Sequence, residues 1–219
     1  MTIGLLGGTF DPIHQGHLDV AVAAQRALEL DEVWLIPARH PPHRTRPVAS
    51  AAHRFAMAAL AVTGHPRLRV SDVEMEIAGP SFTIDTLGRI EMQRPSLTGS
   101  LCFITGADAF REIRTWKQWN DLIGRCHFAV VSRAGCPAGA MRTAMPDLAA
   151  RMYDAPCHLT PTPGIFLVDA ETARVSSTDV RRVLQSGRPA PGLLPDVVAE
   201  YAVCHGLYAG PAVLETPEG

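Results

Sequence analysis

Two histidines three residues apart, His14 and His17, end a glycine-rich stretch near the start of the chain. The stretch reads GGTFDPIHQGH and directly follows the apolar run TIGLL. A glycine turn between a strand and a helix presents backbone N–H groups and the positive helix end to an anion. Histidine is a short, rigid side chain that can donate an N–H hydrogen bond even when it is neutral. We therefore interpret both histidines as donors to a phosphate on which charge grows in a transition state.

Two alternative roles for these histidines stay open. One is a loop histidine followed by a capping histidine, with no chemistry. Another is zinc, because histidines at i and i+3 can bind metal, but the spacer between them supplies neither a cysteine nor an acidic ligand. The stretch matches neither G-x-G-x-x-G nor G-x-x-x-x-G-K-[ST], so the histidines stand where a P-loop would have its lysine.

A second stretch, VSSTDVR, also enters a helix. Ser176, Ser177 and Thr178 offer hydroxyl and N–H groups at the helix N-terminus. Arg181 lies one turn further along, and arginine bridges phosphate oxygens well. A capping serine followed by a solvated arginine is the simpler alternative. Two anion-type helix starts in one chain nevertheless favour a phosphate ligand.

Six short apolar runs, bounded by glycine, proline or polar residues, predict the buried strands that position these motifs. They read TIGLL, VWLIP, LRVSDV, LCFITG, HFAVVS and GIFLVD. Helices are predicted between several of them: after His17 to near Leu30, over residues 50–62 with Ser50 as the cap, from Thr178 to Gly187, and over 194–208.

Strands that alternate with helices predict an α/β fold, a doubly wound, mostly parallel six-stranded sheet with a small C-terminal helical part. Such a sheet allows the order 3-2-1-4-5-6, in which strands 1 and 4 are neighbours. The loops GGTFDPIHQGH and GADAF should then flank one crevice beyond the strand ends.

The composition indicates a globular chain without a strong electrostatic field. Its 219 residues are 47% hydrophobic and carry a formal net charge of −2. This balance favours neither nucleic acid nor an anionic membrane, and we expect no signal peptide and no membrane span. The five cysteines form no C-x-x-C pair, which suits a reducing cytoplasm. We predict one domain over residues 1–208, with loop and a short helix over 133–156, and a loose tail over 209–219.

Together, GGTFDPIHQGH and SSTDVR resemble the nucleotidyltransferase superfamily marked by H-x-G-H and S-S-T-x-x-R. The chain more closely resembles the bacterial nicotinate-nucleotide adenylyltransferases, through PARHPPHR, PSFTIDTL and GADAFREIRTW. These landmarks keep the family's order from Ile3 to Tyr208. Arg44 is a departure, because the family usually has lysine there, and the reach and geometry of the charge change.

The resemblance implies that the 5′-phosphate of nicotinate mononucleotide attacks the α-phosphate of ATP, with loss of pyrophosphate and no covalent intermediate. It implies Mg²⁺ bound through the ATP phosphates, with no metal ligands from the protein. His14, His17 and Arg181 are the implied catalytic residues. The implied ATP-binding residues are Gly8, Thr9, Phe10, Gly16, Arg44, Gly106, Asp108, Ser176, Ser177 and Thr178.

For the mononucleotide, the resemblance implies two binding residues. Thr83, together with the backbone near the tryptophan, contacts the ring carboxylate, and Trp116 stacks on the pyridine ring. Without the resemblance, Trp116 would be interpreted as core, Thr83 as a strand or cap residue, and Asp108 equally well as a helix cap. RHPPHRTR predicts either a mobile basic flap over the phosphates or a solvated loop.

Two rival functions stay open at this point. One is a sister transferase that acts on nicotinamide mononucleotide or another phosphorylated acceptor. The other is a nucleotide sensor that keeps the fold without turnover. The expected partners are small molecules, ATP and nicotinate mononucleotide, and a homo-oligomer is left open.

Overall fold

A parallel sheet of seven strands forms the centre of the protein. The computed structural model describes residues 1–42, 46–76, 78–156 and 158–209. The strands, in chain order, are β1 (Ile3–Gly8), β2 (Glu32–Pro37), β3 (Leu68–Val70), β4 (Leu101–Gly106), β5 (His127–Val131), β6 (Met152–Asp154) and β7 (Ile165–Val168). They lie in the order β3-β2-β1-β4-β5-β7-β6, and every pairing is parallel. The doubly wound α/β fold is thus confirmed.

The sheet has one strand more than the predicted six. β6 lies inside the segment that the sequence predicts to be loop with a short helix, and it pairs with β7 through Met152 and Ile165. Met152 is buried whereas Tyr153 and Asp154 are exposed. A three-residue edge strand with a single buried side chain produces no period-two pattern, so only its partner in the sheet defines it.

Eight α-helices lie between or after these strands in the described parts of the chain. They are α1 (Gln15–Ala27), α2 (Ala51–Ala61), α3 (Thr83–Gln93), α4 (Ala107–Arg111), α5 (Trp119–Arg125), α6 (Met141–Ala144), α7 (Ser177–Gln185) and α8 (Asp196–Cys204). Ser50 caps α2 as predicted, because its hydroxyl accepts from the His53 N–H at 3.3 Å. α1 stops three residues before the predicted Leu30, since Glu29 has a φ of +50° that a helix cannot continue through.

The core lies on both faces of the sheet. Leu6 points to one side and joins residues of α1, α2, α7 and α8, among them Leu18, Met57, Val180 and Val198. Leu5 points to the other side and joins residues of α3, α4 and α5, among them Leu87, Phe110 and Leu122. No helix in the described residues is long and apolar enough to cross a membrane.

Candidate active site

The carboxyl ends of β1 and β4 open into a cavity of about 700 Å³. Leu6 of β1 is paired with Ile104 of β4, so the loops that leave these two strands lie side by side. The cavity is lined from the first loop by Gly7, Gly8, Thr9 and His17, and from the second by Thr105, Gly106 and Asp108. The crevice expected from the strand order is therefore present.

The two histidines of the first motif stack on each other at the start of α1. Their ring centroids are 3.7 Å apart, and the backbone N–H of His14 donates to Nδ1 of His17 at 3.2 Å. His17 lines the cavity, whereas His14 lies behind it with only 2% of its surface exposed. Phe10 is buried beside the pair, edge-on to the His17 ring.

Burial lowers the pKa of His14 to about 4, and the positive charge of Arg133 contributes to this lowering. His14 is therefore a neutral imidazole near pH 7. Its Nδ1 is buried and has no hydrogen-bond partner in the described part of the chain. A neutral ring stacked behind His17 avoids the repulsion that two imidazolium ions would suffer at this distance.

Glycine at position 16 lets α1 approach the loop that carries the second motif. A Cβ on Gly16 would lie 3.0 Å from the carbonyl oxygen of Ala173 and 3.3 Å from the His14 ring. Asp19, on the next turn of α1, accepts from the Ala173 N–H at 2.8 Å. The two motifs are therefore packed against each other although more than 150 residues separate them.

The second motif forms the N-terminus of α7 and is bonded to the first loop. Ser176 caps the helix by accepting from the Asp179 N–H at 3.1 Å. The Ser177 hydroxyl donates to the Pro12 carbonyl at 3.0 Å, and Arg181 donates to the Asp11 carbonyl at 2.6 Å. Thr178 accepts from Arg181 at 3.2 Å. None of these four described residues lines the cavity. They lie next to the loop that carries His14 and His17.

Thr83 and Trp116 line the same cavity as His17. Thr83 is the first residue of α3, and the Trp116 ring lies perpendicular to the Phe103 ring, with ring centroids 5.6 Å apart. The structure thus brings the predicted ring-binding residues and the predicted phosphate-binding loop to one cavity. Arg44, also predicted to bind ATP, lies outside the described residues, as does the part of the predicted flap around it.

A buried arginine that the sequence did not single out fixes the first loop. Arg54 of α2 is 1% exposed and donates to the carbonyls of Thr9, Ala38 and Ala49 at 2.6, 2.7 and 3.2 Å. Burial lowers its pKa, and the nearby carboxylate of Asp11 opposes that effect. A single charged side chain therefore ties together the loops that follow β1 and β2.

Arg133 and Glu74 also line the cavity and were not predicted. Arg133 follows β5, and its side chain packs so closely on Gly106 that a Cβ there would lie 2.9 Å from the Arg133 Cγ. Glu74 is buried, accepts from the Thr86 hydroxyl at 2.5 Å, and has its pKa raised by that burial. Arg133 had a usable signal, because it directly follows a strand that neighbours β4. Glu74 had none, since its segment contains no motif.

Known proteins match this chain over most of its length. The cytidylyltransferase-like family matches residues 5–183. A protein of Acidithiobacillus ferrooxidans named "Probable nicotinate-nucleotide adenylyltransferase" is 40% identical over 94% of this chain and 95% of its own length. One of the same name from Pseudomonas fluorescens is 41% identical over 95% of this chain and 98% of its own length. The chain belongs to the nicotinate-nucleotide adenylyltransferase family.

Membership of this family confirms the resemblance inferred from the motifs and makes the protein an enzyme, a nucleotidyltransferase. The solved structure of Plasmodium falciparum nicotinic acid mononucleotide adenylyltransferase complexed with NaAD superposes with a TM-score of 0.74. That comparison covers 94% of this chain and 97% of the other at 18% identity. Because the identity is only 18%, this comparison shows that the two proteins share a fold and nothing more.

Proposed function

We propose that this nicotinate-nucleotide adenylyltransferase transfers the adenylyl group of ATP to nicotinate mononucleotide, a step of NAD biosynthesis. An oxygen of the mononucleotide 5′-phosphate bonds to the α-phosphorus of ATP. The bond from that phosphorus to the bridging oxygen of the β-phosphate breaks, so deamido-NAD forms and pyrophosphate leaves. The observation that carries this proposal is the single cavity lined by His17, Thr83 and Trp116.

In this proposal His17 contacts the α-phosphate, where charge grows as the bonds exchange. His14 is too buried to reach a phosphate without moving its ring, so its part is chiefly to hold His17. Ser177 and Arg181 bind the leaving phosphates from the neighbouring helix N-terminus. Each already bonds a carbonyl of the first loop, which holds α7 close to His17.

The remaining predicted residues divide between the two ends of the ligand. The backbone at Gly8, Thr9 and Gly16 allows close approach of the triphosphate, while Gly106 and Asp108 bind the adenosine. Phe10 does not reach the ligand in this proposal; it supports the His17 ring, to which its own ring is perpendicular. Thr83 reads the ring carboxylate and Trp116 stacks on the pyridine ring.

A divalent cation belongs to this chemistry, and we propose Mg²⁺ carried by the ATP phosphates. Mg²⁺ keeps several waters and binds through substrate phosphates more readily than in an all-protein cage. Within the described residues no group of three or more metal-ligating side chains lies together. When bound, the cation neutralises charge on the leaving pyrophosphate. We further propose that the enzyme works in the cytoplasm.

Pyrophosphate release tests the proposal, with ATP and Mg²⁺ and either nicotinate or nicotinamide mononucleotide as acceptor. We expect strong release with nicotinate mononucleotide and a loss of about 10²- to 10³-fold in kcat for His17→Ala. His158→Ala is the matched control, because this side chain is 82% exposed and pairs only with Glu29 among the described residues. Equal release with both acceptors would contradict the role of Thr83, and no release with either would leave the sister-transferase or sensor function.

A further inference from the structure

A lysine stands at the mononucleotide end of the cavity, directly after Trp116. Lys117 lines the cavity together with Phe82 and Thr83. Its ammonium nitrogen lies 5.0 Å from the centre of the Phe82 ring and pairs with both carboxylate oxygens of Asp85, at 3.0 and 2.8 Å. The charge thus lies beside Phe82, at the end of the cavity where the ring of the mononucleotide is proposed to bind.

The Asp85 pair leaves this ammonium able to bind a second anion. An ammonium has three N–H donors, and the two contacts to one carboxylate occupy at most two of them. Both side chains are 42% exposed, and an exposed ion pair of this kind contributes little to stability. Sharing or breaking it on binding a ligand therefore costs little.

Nicotinate mononucleotide and nicotinamide mononucleotide differ only in the substituent on the pyridine ring, and a cation would distinguish the two substituents. Nicotinate carries an ionised carboxylate on the pyridine ring, whereas nicotinamide carries a neutral amide. An ammonium donates a charge-assisted hydrogen bond to the carboxylate that it cannot match with the amide. Thr83, the predicted reader, offers a neutral hydroxyl at the same end of the cavity.

We propose that the side chain of Lys117 selects the acid form of the mononucleotide, by sharing its ammonium between Asp85 and the ring carboxylate. This inference rests on the proposed function and goes beyond it, because it assigns the choice between acid and amide to a charge. The selecting contact is between the Lys117 ammonium and the ring carboxylate.

Steady-state kinetics of Lys117→Gln with both acceptors tests this assignment. We expect kcat/KM for nicotinate mononucleotide to fall about tenfold, while the value for nicotinamide mononucleotide and the KM for ATP stay within about twofold. Lys117→Arg, which keeps the charge, should retain at least half of the wild-type preference. Asp85→Asn is the matched control, since it removes the ion pair but leaves the ammonium, and the preference for the acid should persist or rise.

The dependence of KM on salt concentration is a second test, because a purely structural role of Lys117 would not change it. The KM for nicotinate mononucleotide should rise more steeply with salt in the wild type than in Lys117→Gln. An unchanged acid preference in Lys117→Gln, or an equal loss with both acceptors, overturns the inference and leaves the proposed function intact. A wild-type enzyme that turns over neither acceptor overturns both.

Discussion

At the scale of single residues, the site combines a histidine that lines the cavity with one that lies behind it. His17 lines the cavity, and His14 supports it from the interior with its pKa lowered to about 4, chiefly by burial. The packing that fixes the His17 ring therefore requires a basic group to stay neutral. Such a group makes the fold sensitive to acid, because the unfolded chain binds a proton that the folded chain does not.

This linkage predicts how His14 affects stability as the pH falls. The pKa of His14 is lowered from 6.5 to about 4 in the folded protein. Between these values the unfolded state binds more protons, so His14 lowers the free energy of unfolding progressively as the pH drops from above 6.5 to 4. At pH 4 the loss amounts to about 3 kcal/mol. Titration by urea at several pH values should show this loss in the wild type and its absence in His14→Asn.

His14→Asn isolates this effect because asparagine is itself a good residue at a helix N-cap. The rest of the sequence is the same in both proteins, so the informative quantity is the difference between their free energies of unfolding. His158→Asn should run parallel to the wild type, since its imidazole is exposed. Parallel curves for His14→Asn and the wild type would show that His14 is protonated as easily in the fold as in the unfolded chain.

At the scale of elements, β1 lies between β2 and β4, and its Gly4 has no side chain in a tightly packed place. A Cβ on Gly4 would lie 2.7 Å from Cδ1 of Ile104 and 2.8 Å from Cδ1 of Leu30. Both side chains are fully enclosed, at 1% and 0% exposure, and have little room to move. The spacing between β1 and its neighbours, and hence the position of the loop that carries His17, depends on this glycine.

We expect Gly4→Ala to lower the free energy of unfolding by about 1 to 3 kcal/mol, because the extra methyl group overpacks an enclosed core. Gly124→Ala in α5 is the matched control. Among the described residues, no atom outside its own helix and chain neighbours lies within 4 Å of an added Cβ there. Alanine also favours helix over glycine by about 0.5 to 1 kcal/mol. Denaturant unfolding measures both. A Gly4→Ala variant as stable as the wild type would mean that Ile104 and Leu30 repack freely.

The elements that the sequence predicted are those with local signals. β1 and β4 are continuous apolar runs, Ser50 is a capping hydroxyl, and the glycine loop marks the strand-to-helix turn. β6 escaped prediction because its pairing with β7 is the only thing that defines it. The cavity followed from the strand order, but Arg54 did not, since its carbonyl partners lie 5 to 45 residues away along the chain. Contacts of this kind depend on the finished fold.

At the scale of the whole molecule, the end of the described chain is bonded to its first loop. Tyr208 is buried, and its hydroxyl donates to Asp11 Oδ1 at 2.8 Å across 197 residues of sequence. The same carboxylate accepts the N–H groups of Val48 and Ala49 at 2.8 and 3.0 Å. Arg181 of α7 lies 3.9 Å from it. Three distant parts of the chain thus meet at the buried Asp11, beside the site.

These contacts of Asp11 predict that a substitution at Tyr208 affects both the stability of the protein and its binding of ATP. Tyr208→Phe removes a donor to a buried carboxylate and should lower the free energy of unfolding by about 1.5 to 3 kcal/mol. Because Asp11 belongs to the loop that carries His14 and His17, we also expect the KM for ATP to rise a few-fold. Thermal unfolding and pyrophosphate release measure the two effects on one preparation.

A chain ended after Ala209 provides the control, since it keeps Tyr208 and removes only the segment that the sequence predicts to be a loose tail. This truncated protein should match the wild type in both stability and KM. If Tyr208→Phe lowered stability alone, Asp11 would keep its loop in place through Val48, Ala49 and Arg181 without help from the chain end. If the truncation reproduced the Tyr208→Phe effects, residues 210–219 would have to contribute to the fold, and the predicted boundary at 208 would be wrong.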